Sequence, residues 1–172
     1  EQLAHVDLPS NFKLVLTGAG RVGGGAIEVV RKMGLKCVSP EEFLMDDFNE
    51  PVYTQLGVGQ YNKRKDGGIF SKKEFYACPE KFESNFMSYA RVADMYVACH
   101  YWDSNAPYIF NREEAKSPEW KVKIVADISC DIDCAVASTL RPSTIADPFY
   151  GYDPIGEIEV DFFNDNAIGV MA

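Results

Sequence analysis

Three glycines at fixed spacing, Gly18, Gly20 and Gly23, are the residues of this sequence best suited to binding chemistry. They follow the apolar run 14–16 and precede the helix-forming segment 26–33. Gly18 permits a tight turn, Gly20 lets a phosphate approach the backbone, and Gly23 lets a helix pack closely on a strand. Unpaired N–H groups at the start of such a helix attract anions. The stretch therefore predicts the strand, turn and helix that open a dinucleotide-binding unit.

Further candidates directly follow the other predicted strands, because ligands of open α/β sheets bind beyond the carboxyl ends of their strands. His100 and Tyr101 follow the apolar run 95–99, and the segment 127–129 follows another buried strand. We expect Tyr101 to pack on a cofactor. For His100 a structural role is expected, as is more common for a lone histidine, and a direct catalytic role is the alternative. Within the glycine turn, the guanidinium of Arg21 is able to bind a phosphate, although an exposed position on the helix is its alternative.

The acid that usually binds the adenosine ribose is missing from its expected place. It should lie about 20 residues after the first glycine, which is near Ser39. If the second strand is instead 52–56, its end carries Gln55 and Gly57, which again include no acid. We therefore expect the residue that normally selects NAD to be absent or displaced.

The basic run Lys63-Arg64-Lys65 has two interpretations. An arginine near this place is how a 2′-phosphate is accommodated, which would favour NADP. Charge clusters in loops are more often simply solvated. The sequence leaves both interpretations open.

Other kinds of chemistry lack a convincing pattern. Five cysteines without framework spacing predict reduced thiols, and the run 130–134, CDIDC, has no second pair to make a zinc signature. No Ser-His-Asp or Cys-His arrangement with a supporting motif is present. We therefore expect a cofactor site with neither a metal nor a catalytic residue of its own.

The elements that must position these residues alternate between strands and helices. We predict strands at 13–17, 52–56, 95–99, 122–126 and 167–171, with a short and ambiguous one at 35–38, and helices at 22–33, 40–44, 71–76, 79–89 and 111–115. A polar loop is expected at 57–68, and little regular structure at 129–156. This alternation predicts an α/β fold, a Rossmann-like doubly wound parallel sheet in a single domain.

Composition bounds the class of protein. The chain has 172 residues, of which 47% are hydrophobic and 25% charged, as in one ordinary globular domain. A net charge of -9 argues against nucleic acid as a partner. No apolar run approaches the ~20 residues that span a membrane, and the first residues do not form a signal peptide, so we expect a cytoplasmic protein without membrane contact. Both ends look cut from a longer chain.

Four stretches together resemble the alanine dehydrogenase and pyridine nucleotide transhydrogenase superfamily. They are KLVLTGAGRVGGGA at 13–26, the loop KRKDGG at 63–68, CHYW at 99–102 with Ala106-Pro107 behind it, and VADISCD at 125–131. Within that superfamily, the most similar branch is the NAD-dependent, lysine-forming saccharopine dehydrogenases. The resemblance implies a two-domain enzyme in which residues 1–12 connect from a missing substrate domain and 13–172 form the NAD(P)-binding Rossmann domain.

The resemblance also implies which residues bind NAD. The predicted set consists of Gly18, Gly20, Arg21, Val22 and Gly23 at the pyrophosphate, Asp66 and Gly67 at the adenosine, Tyr101 at the adenine or ribose edge, and Asp127, Ile128 and Ser129 at the nicotinamide. The family's principal acid–base residues and most of its contacts to the amino-acid substrate lie in the other domain. The insertion at 61–86 is larger than a plain nucleotide-binding unit needs.

These features together predict the NAD(H)-binding domain of an amino-acid oxidoreductase that transfers hydride at a CH–NH centre. Three alternatives stay open. One is an alanine-dehydrogenase-type activity on a small 2-oxo acid. Another is a non-catalytic module that senses the nucleotide, and the third is a Rossmann-like interaction domain whose glycine turn binds nothing.

Overall fold

The computed structural model describes residues 6–172, in which strands and helices alternate. The strands are β1 (Lys13–Thr17), β2 (Lys36–Cys37), β3 (Val52–Leu56), β4 (Asn62–Arg64), β5 (Phe82–Ser84), β6 (Met95–Ala98), β7 (Ile124–Asp127), β8 (Tyr150–Asp153), β9 (Ile158–Val160) and β10 (Ile168–Met171). The helices are α1 (Arg21–Lys32), α2 (Pro40–Met45), α3 (Val58–Tyr61), α4 (Lys72–Ala77), α5 (Met87–Ala90) and α6 (Arg112–Ala115), with a 3-10 turn at Pro79–Lys81.

Eight strands form one mostly parallel sheet in the order β2-β3-β1-β6-β7-β10-β8-β9. The pairs from β2 to β10 are parallel, whereas β8 and β9 add two antiparallel strands at one edge. The predicted Rossmann-like α/β fold is confirmed. Successive strands are added on one side of β1 and then on the other, so the strand order reverses between β1 and β6. Ligands of such sheets bind at this point of reversal.

The two faces of the sheet bury different sets of side chains, because successive residues of a strand point to opposite faces. Leu14 and Leu16 pack with Val30 of α1 on one face. Val15 packs on the other face in a larger cluster that includes Tyr96 and Phe86. Both faces of β1 are therefore buried, as a parallel sheet requires.

Helix starts follow the local signals in the sequence. Ser39 caps α2 and Asn111 caps α6, each in a capping box with the glutamate three residues later. Ser71 caps α4 by accepting from the Glu74 backbone N–H. The ambiguity over the second strand is resolved in favour of both segments, since β2 pairs with β3 and β3 pairs with β1.

The predictions for 57–68 and 79–89 were wrong. The first segment is not a loop but forms α3 and β4, and the second is not one helix but a turn, β5 and α5. β4 and β5 pair as an antiparallel hairpin outside the main sheet. Phe82 of β5 packs edge-on against Phe70 and Phe75. Pairing with β4, which places Arg64 opposite Phe82 and Asn62 opposite Ser84, favours the strand and is not visible in the local pattern.

The expected irregular stretch 129–156 was also partly wrong, because its end forms β8. β8 pairs with β10 in antiparallel fashion and in turn supports β9. The assignment of residues 1–12 to an interdomain connection stays a prediction, and positions 1–5 of it lie outside the described residues.

Candidate functional site

The glycine turn begins directly after β1, and Gly18 is required at its first position. Gly18 has a φ of +98°, in the left-handed region that glycine adopts without strain. Its backbone N–H donates to the Leu56 carbonyl oxygen over 3.0 Å. A Cβ atom added to Gly18 would lie less than 3.0 Å from the backbone carbonyl oxygen of Cys99. Gly18 therefore lets the ends of β1 and β6 meet backbone to backbone.

The other two glycines differ in what surrounds them. A Cβ atom on Gly23 would lie less than 3.0 Å from the Gly18 carbonyl oxygen, so Gly23 brings α1 close to the turn. A Cβ atom on Gly20 would have no heavy atom of the described residues within 4 Å. Gln55 Nε2 donates to the Gly18 carbonyl oxygen over 2.8 Å and fixes the turn from β3. The fold thus explains Gly18 and Gly23, while Gly20 opens onto free space.

The first turn of α1 is also open. Gly20 is the N-cap and offers no side chain to accept from the helix N–H groups. Arg21 and Val22 begin the helix, and both side chains are exposed. No acidic residue occupies the first turn, while Arg31 and Lys32 lie in the last turn. The positive end of the helix dipole therefore faces the same space as Gly20.

The predicted nicotinamide segment lies beside the end of β6, the strand that separates it from β1 and the glycine turn. In the sheet register, Ala98 pairs with Thr17 on one side and with Asp127 on the other. The Ile128 backbone N–H donates to the Ala98 carbonyl oxygen over 3.0 Å. The structure therefore brings the ends of β1, β6 and β7 together, as predicted.

Asp127 itself is buried and hydrogen-bonded within the protein. Its Oδ1 accepts from the backbone N–H and the hydroxyl of Ser129, at 3.1 and 2.6 Å. Its Oδ2 accepts from the Thr139 hydroxyl over 2.7 Å. Asp127 thus shapes the turn, and the half-exposed side chain of Ile128 is the one that points out of it.

His100 ends a short chain of buried hydrogen bonds at the sheet edge. Thr17 Oγ1 lies 2.8 Å from Tyr96 Oη and 2.8 Å from His100 Nδ1. The other ring nitrogen, Nε2, is buried and has no hydrogen-bond partner in the structure described. Burial lowers the pKa of His100 to about 4, although Asp127 and Asp131 oppose this shift. The imidazole is therefore neutral at physiological pH.

The imidazole lines a cavity of about 520 Å³ between the segments that follow β3 and β6. Its lining includes Val58 and Tyr61 of α3, and Tyr101 and Trp102 of the segment after β6. The Tyr61 ring lies 5.8 Å from the His100 ring, centroid to centroid. Tyr101 is 90% exposed, so its ring stands at the mouth of the cavity with most of its surface free to pack on a ligand.

The predicted adenosine residues Asp66 and Gly67 lie directly after β4, at the start of the connection to β5 and outside the sheet that carries the glycine turn. Asp66 accepts from the Arg64 guanidinium and from the Gly68 backbone N–H. These contacts lower the pKa of Asp66, and Arg64 also pairs with Glu74. The contact of Asp66 and Gly67 with adenosine stays a prediction, while the structure gives this carboxylate a partner within the hairpin.

The side chains of the basic run contact neighbouring residues of the protein. Lys63 pairs with Glu83 at 3.4 Å, and Lys65 Nζ donates to the Glu80 carbonyl oxygen over 2.8 Å. The carboxylates of Asp66 and Glu74 raise the pKa of Arg64. These contacts favour the interpretation of the run as solvated surface over that of a 2′-phosphate site.

Several residues of this site were not assigned by sequence reasoning. Gln55 was noted only because it is not an acid, whereas in the structure it clamps the glycine turn. Thr17 and Tyr96 lie within segments that the sequence predicts only as buried strands. A signal was present in each case, since a polar side chain inside a buried apolar strand needs a hydrogen-bond partner.

The remaining side-chain chemistry is limited in the part of the chain that the structure describes. All five cysteines are free thiols, and burial raises the pKa of Cys99 to about 11. Within residues 6–172, no group of three or more His, Cys, Asp or Glu side chains is arranged to hold a metal ion. No helix in that range is long and apolar enough to cross a membrane.

Comparison with known proteins gives relatives by sequence. Alpha-aminoadipic semialdehyde synthase, mitochondrial, from Mus musculus is 28% identical over 176 residues, covering 90% of this chain and 19% of the relative. The protein of the same name from Rattus norvegicus is 30% identical over 164 residues, covering 81% of this chain and 17% of the relative. The chain thus spans less than a fifth of the length of these curated relatives.

Comparisons with solved structures and with family models do not identify a family for the chain. A solved structure of L-alanine dehydrogenase aligns with a TM-score of 0.42 and 15% identity, over 81% of this chain and 33% of its own. No family model matches the chain. The sequence relatives alone confirm the resemblance predicted above: the chain is homologous to a segment of the alpha-aminoadipic semialdehyde synthases.

Proposed function

We propose that this chain is the NAD(H)-binding domain of an amino-acid oxidoreductase that interconverts an amine and an imine by hydride transfer. The glycine turn carries this proposal. Gly18 and Gly23 are required by backbone contacts, whereas Gly20 meets nothing within 4 Å. A folding role therefore explains two of the three glycines, and a bound pyrophosphate explains the third.

The residues present fit a dinucleotide. Backbone N–H groups at Arg21 and Val22, together with the positive end of α1, would hold the pyrophosphate. The Arg21 side chain is exposed beside them and carries a charge of the right sign. On the β7 side, Ile128 and Ser129 would contact the nicotinamide ring. The bound cofactor supplies the hydride, and these residues bind and orient it.

The substrate half of the reaction belongs, in this proposal, to parts of the protein beyond this chain. The relatives are named as synthases of an amino-acid semialdehyde, and this chain matches less than a fifth of each. We propose that an amino acid binds mainly to that other portion, which also supplies the acid–base residues. The cytoplasmic location stays a proposal from the sequence, whereas the names of these relatives place them in mitochondria.

The test is a calorimetric titration of the chain with NADH and, separately, with NADPH. We expect saturable NADH binding and weaker NADPH binding, since Arg64 is already paired with Asp66 and Glu74. Preference for NADPH would contradict the NAD assignment. Failure of the wild-type chain to bind either nucleotide would contradict the proposal for this domain.

A substitution pair isolates the glycine turn. Gly20→Val should abolish NADH binding without unfolding the protein. The valine side chain would fill the open space beside residue 20 that the pyrophosphate is proposed to occupy. Gly25→Val is the matched control, since Gly25 lies further along α1 and also has no heavy atom within 4 Å of an added Cβ. Equal affinities of the two variants for NADH would overturn the role of the turn.

A further inference from the structure

The first residue of the glycine turn is bound through both of its backbone polar groups. The Gly18 N–H donates to the Leu56 carbonyl oxygen over 3.0 Å, and the Gly18 carbonyl oxygen accepts from Gln55 Nε2 over 2.8 Å. Both partners belong to the end of β3. Gly18 is buried and Gln55 is partly buried, so these hydrogen bonds are largely shielded from water.

The direction of the Gly18 carbonyl fixes the direction of the next N–H group. The peptide bond between Gly18 and Ala19 is trans and planar, so its C=O and its N–H point in opposite directions. The oxygen points toward Gln55, and a Cβ atom added to Gly23 would also lie less than 3.0 Å from it. The Ala19 N–H therefore points away from both of these residues.

The Ala19 N–H is left free for a ligand. Ala19 and Gly20 are exposed, and no acceptor for this N–H is present within residues 6–172. An outward N–H beside the uncapped start of α1 adds to the positive potential there. If the peptide were rotated by half a turn, the Gly18 carbonyl oxygen would take the place of the N–H and would repel a phosphate.

This contact explains why the residue at position 55 is an amide. The residue faces a carbonyl oxygen, which only accepts, and the NH₂ end of the glutamine side chain supplies the donor. A carboxylate in the same place would bring two acceptors into contact. It would instead favour the rotated peptide, in which it accepts from the Ala19 N–H. The acid expected near the end of the second strand is thus incompatible with the observed orientation at this position.

We propose that Gln55 is a positioning residue that keeps the peptide between Gly18 and Ala19 in the orientation that binds a pyrophosphate. It acts through the Gly18 carbonyl rather than by contact with the ligand. This inference rests on the proposed function, because it names the side chain that prepares the same glycine turn. The amide on the neighbouring strand decides whether the turn presents an N–H or a carbonyl oxygen to the ligand.

The test measures by calorimetry the affinity of the chain for ADP-ribose, which contains the pyrophosphate. Gln55→Met keeps the length of the side chain but removes the donor, and it should weaken binding about 5- to 30-fold. Gln55→Glu should weaken binding about 100-fold at pH 8, since its carboxylate favours the rotated peptide. Gln60→Glu is the matched control, because it adds the same charge at an exposed position of α3, and it should bind as wild type does.

The pH dependence of the Gln55→Glu variant distinguishes positioning from a merely structural role. Its protonated carboxyl group has a donor for the Gly18 carbonyl oxygen, whereas the carboxylate has none. The affinity of the variant relative to wild type should therefore recover at pH 5 compared with pH 8. Far-UV circular dichroism at both pH values verifies that the variant is folded. The same deficit at both pH values would overturn the inference.

Amide hydrogen exchange of Ala19, measured by NMR, reports the orientation of the peptide without any ligand. In the wild type this N–H is exposed and should exchange rapidly. In Gln55→Glu at pH 7 it should exchange more slowly, because the carboxylate accepts from it. Slow exchange in the wild type, or equal rates in the two proteins, would contradict the assigned orientations.

The outcomes separate this inference from the proposed function. If wild type and Gln55→Met bind ADP-ribose equally tightly, the inference fails and the proposed function stands. If Gln60→Glu weakens binding as much as Gln55→Glu does, added charge is the cause and the inference again fails. If wild-type protein binds no nucleotide, the proposed function fails, while the Ala19 exchange rates still decide whether Gln55 orients the peptide.

Discussion

The glycine turn and the β4–β5 hairpin both have sequences that suggest nucleotide binding, yet their polar groups have opposite surroundings in the structure. At the turn, Gly20 faces free space and the first turn of α1 has no side-chain cap. In the hairpin, Arg64 is held by Asp66 and Glu74. The glycine turn therefore keeps groups free to bind a ligand, whereas the guanidinium in the hairpin is already paired with carboxylates of the protein.

This difference shows which property marks a binding site. A charged or glycine-rich sequence indicates that a segment has the groups needed for binding, but not whether those groups are free. In the hairpin, a glutamate on the facing strand pairs with Lys63, and a glutamate on α4 pairs with Arg64. At the turn, the open groups are backbone N–H groups of the helix. The first turn of α1 has no acidic side chain to accept hydrogen bonds from them.

The largest expected effect is on folding stability, and it tests how closely α1 packs on the glycine turn. Gly23→Ala should destabilise the protein by about 1–3 kcal/mol, because its Cβ would collide with the Gly18 carbonyl oxygen and push α1 away. Gly24→Ala should instead stabilise it by up to about 1 kcal/mol, since Gly24 faces open space inside a helix. Urea denaturation of the two variants measures both changes. Equal stabilities would contradict the packing described at the turn.

The second effect is a dependence of folding stability on pH, and it results from the buried imidazole of His100. The pKa of His100 is lowered to about 4, so the unfolded chain takes up a proton near pH 6.5 while the folded chain does not. The stabilising contribution is complete above pH 6.5 and is lost as the pH falls toward 4. It should decrease by about 2 kcal/mol between pH 7 and pH 5.

Urea denaturation at both pH values checks this, with His100→Gln as the control that cannot titrate. The variant should lose less stability than wild type over the same interval. If both lose the same amount, the burial of a neutral His100 is not the cause.

A smaller effect is expected from the hairpin. Arg64→Gln removes the partner of Asp66 and Glu74, whose pKa values Arg64 lowers, and should reduce the thermal midpoint slightly. It should leave the ratio of NADH to NADPH affinity unchanged, because the guanidinium is not available to a 2′-phosphate. A selective loss of NADPH binding would show that Arg64 leaves its partners for the ligand.

The smallest effect is expected from the two lysines beside it. The double variant Lys63→Ala and Lys65→Ala should bind NADH and NADPH as wild type does, since both side chains are solvated. Calorimetric titration of the double variant checks this. If the variant bound NADPH more weakly but NADH as tightly as wild type, the basic run would be a 2′-phosphate site and this prediction would be wrong.

Local patterns in the sequence are sufficient to predict the elements that need no distant partner. The strand β1, the glycine turn and α1 follow from an apolar run, the three glycines and a glycine that ends the helix. The capped helices α2 and α6 follow from side chains that bond their own first turn. Parallel strands buried on both faces are continuous apolar runs, so β6 and β10 were also visible.

Other parts of the fold depend on contacts between residues distant in sequence, which meet only in the folded chain. β5 is a strand because it pairs with β4, with Arg64 opposite Phe82 and Asn62 opposite Ser84, although its sequence also suits a helix. The Tyr96–Thr17–His100 chain joins residues about 80 positions apart, and Gln55 reaches the turn across 37 positions. Sequence patterns record which groups are present, whereas the packing of the sheet decides which of them are satisfied by the protein and which are left for a ligand.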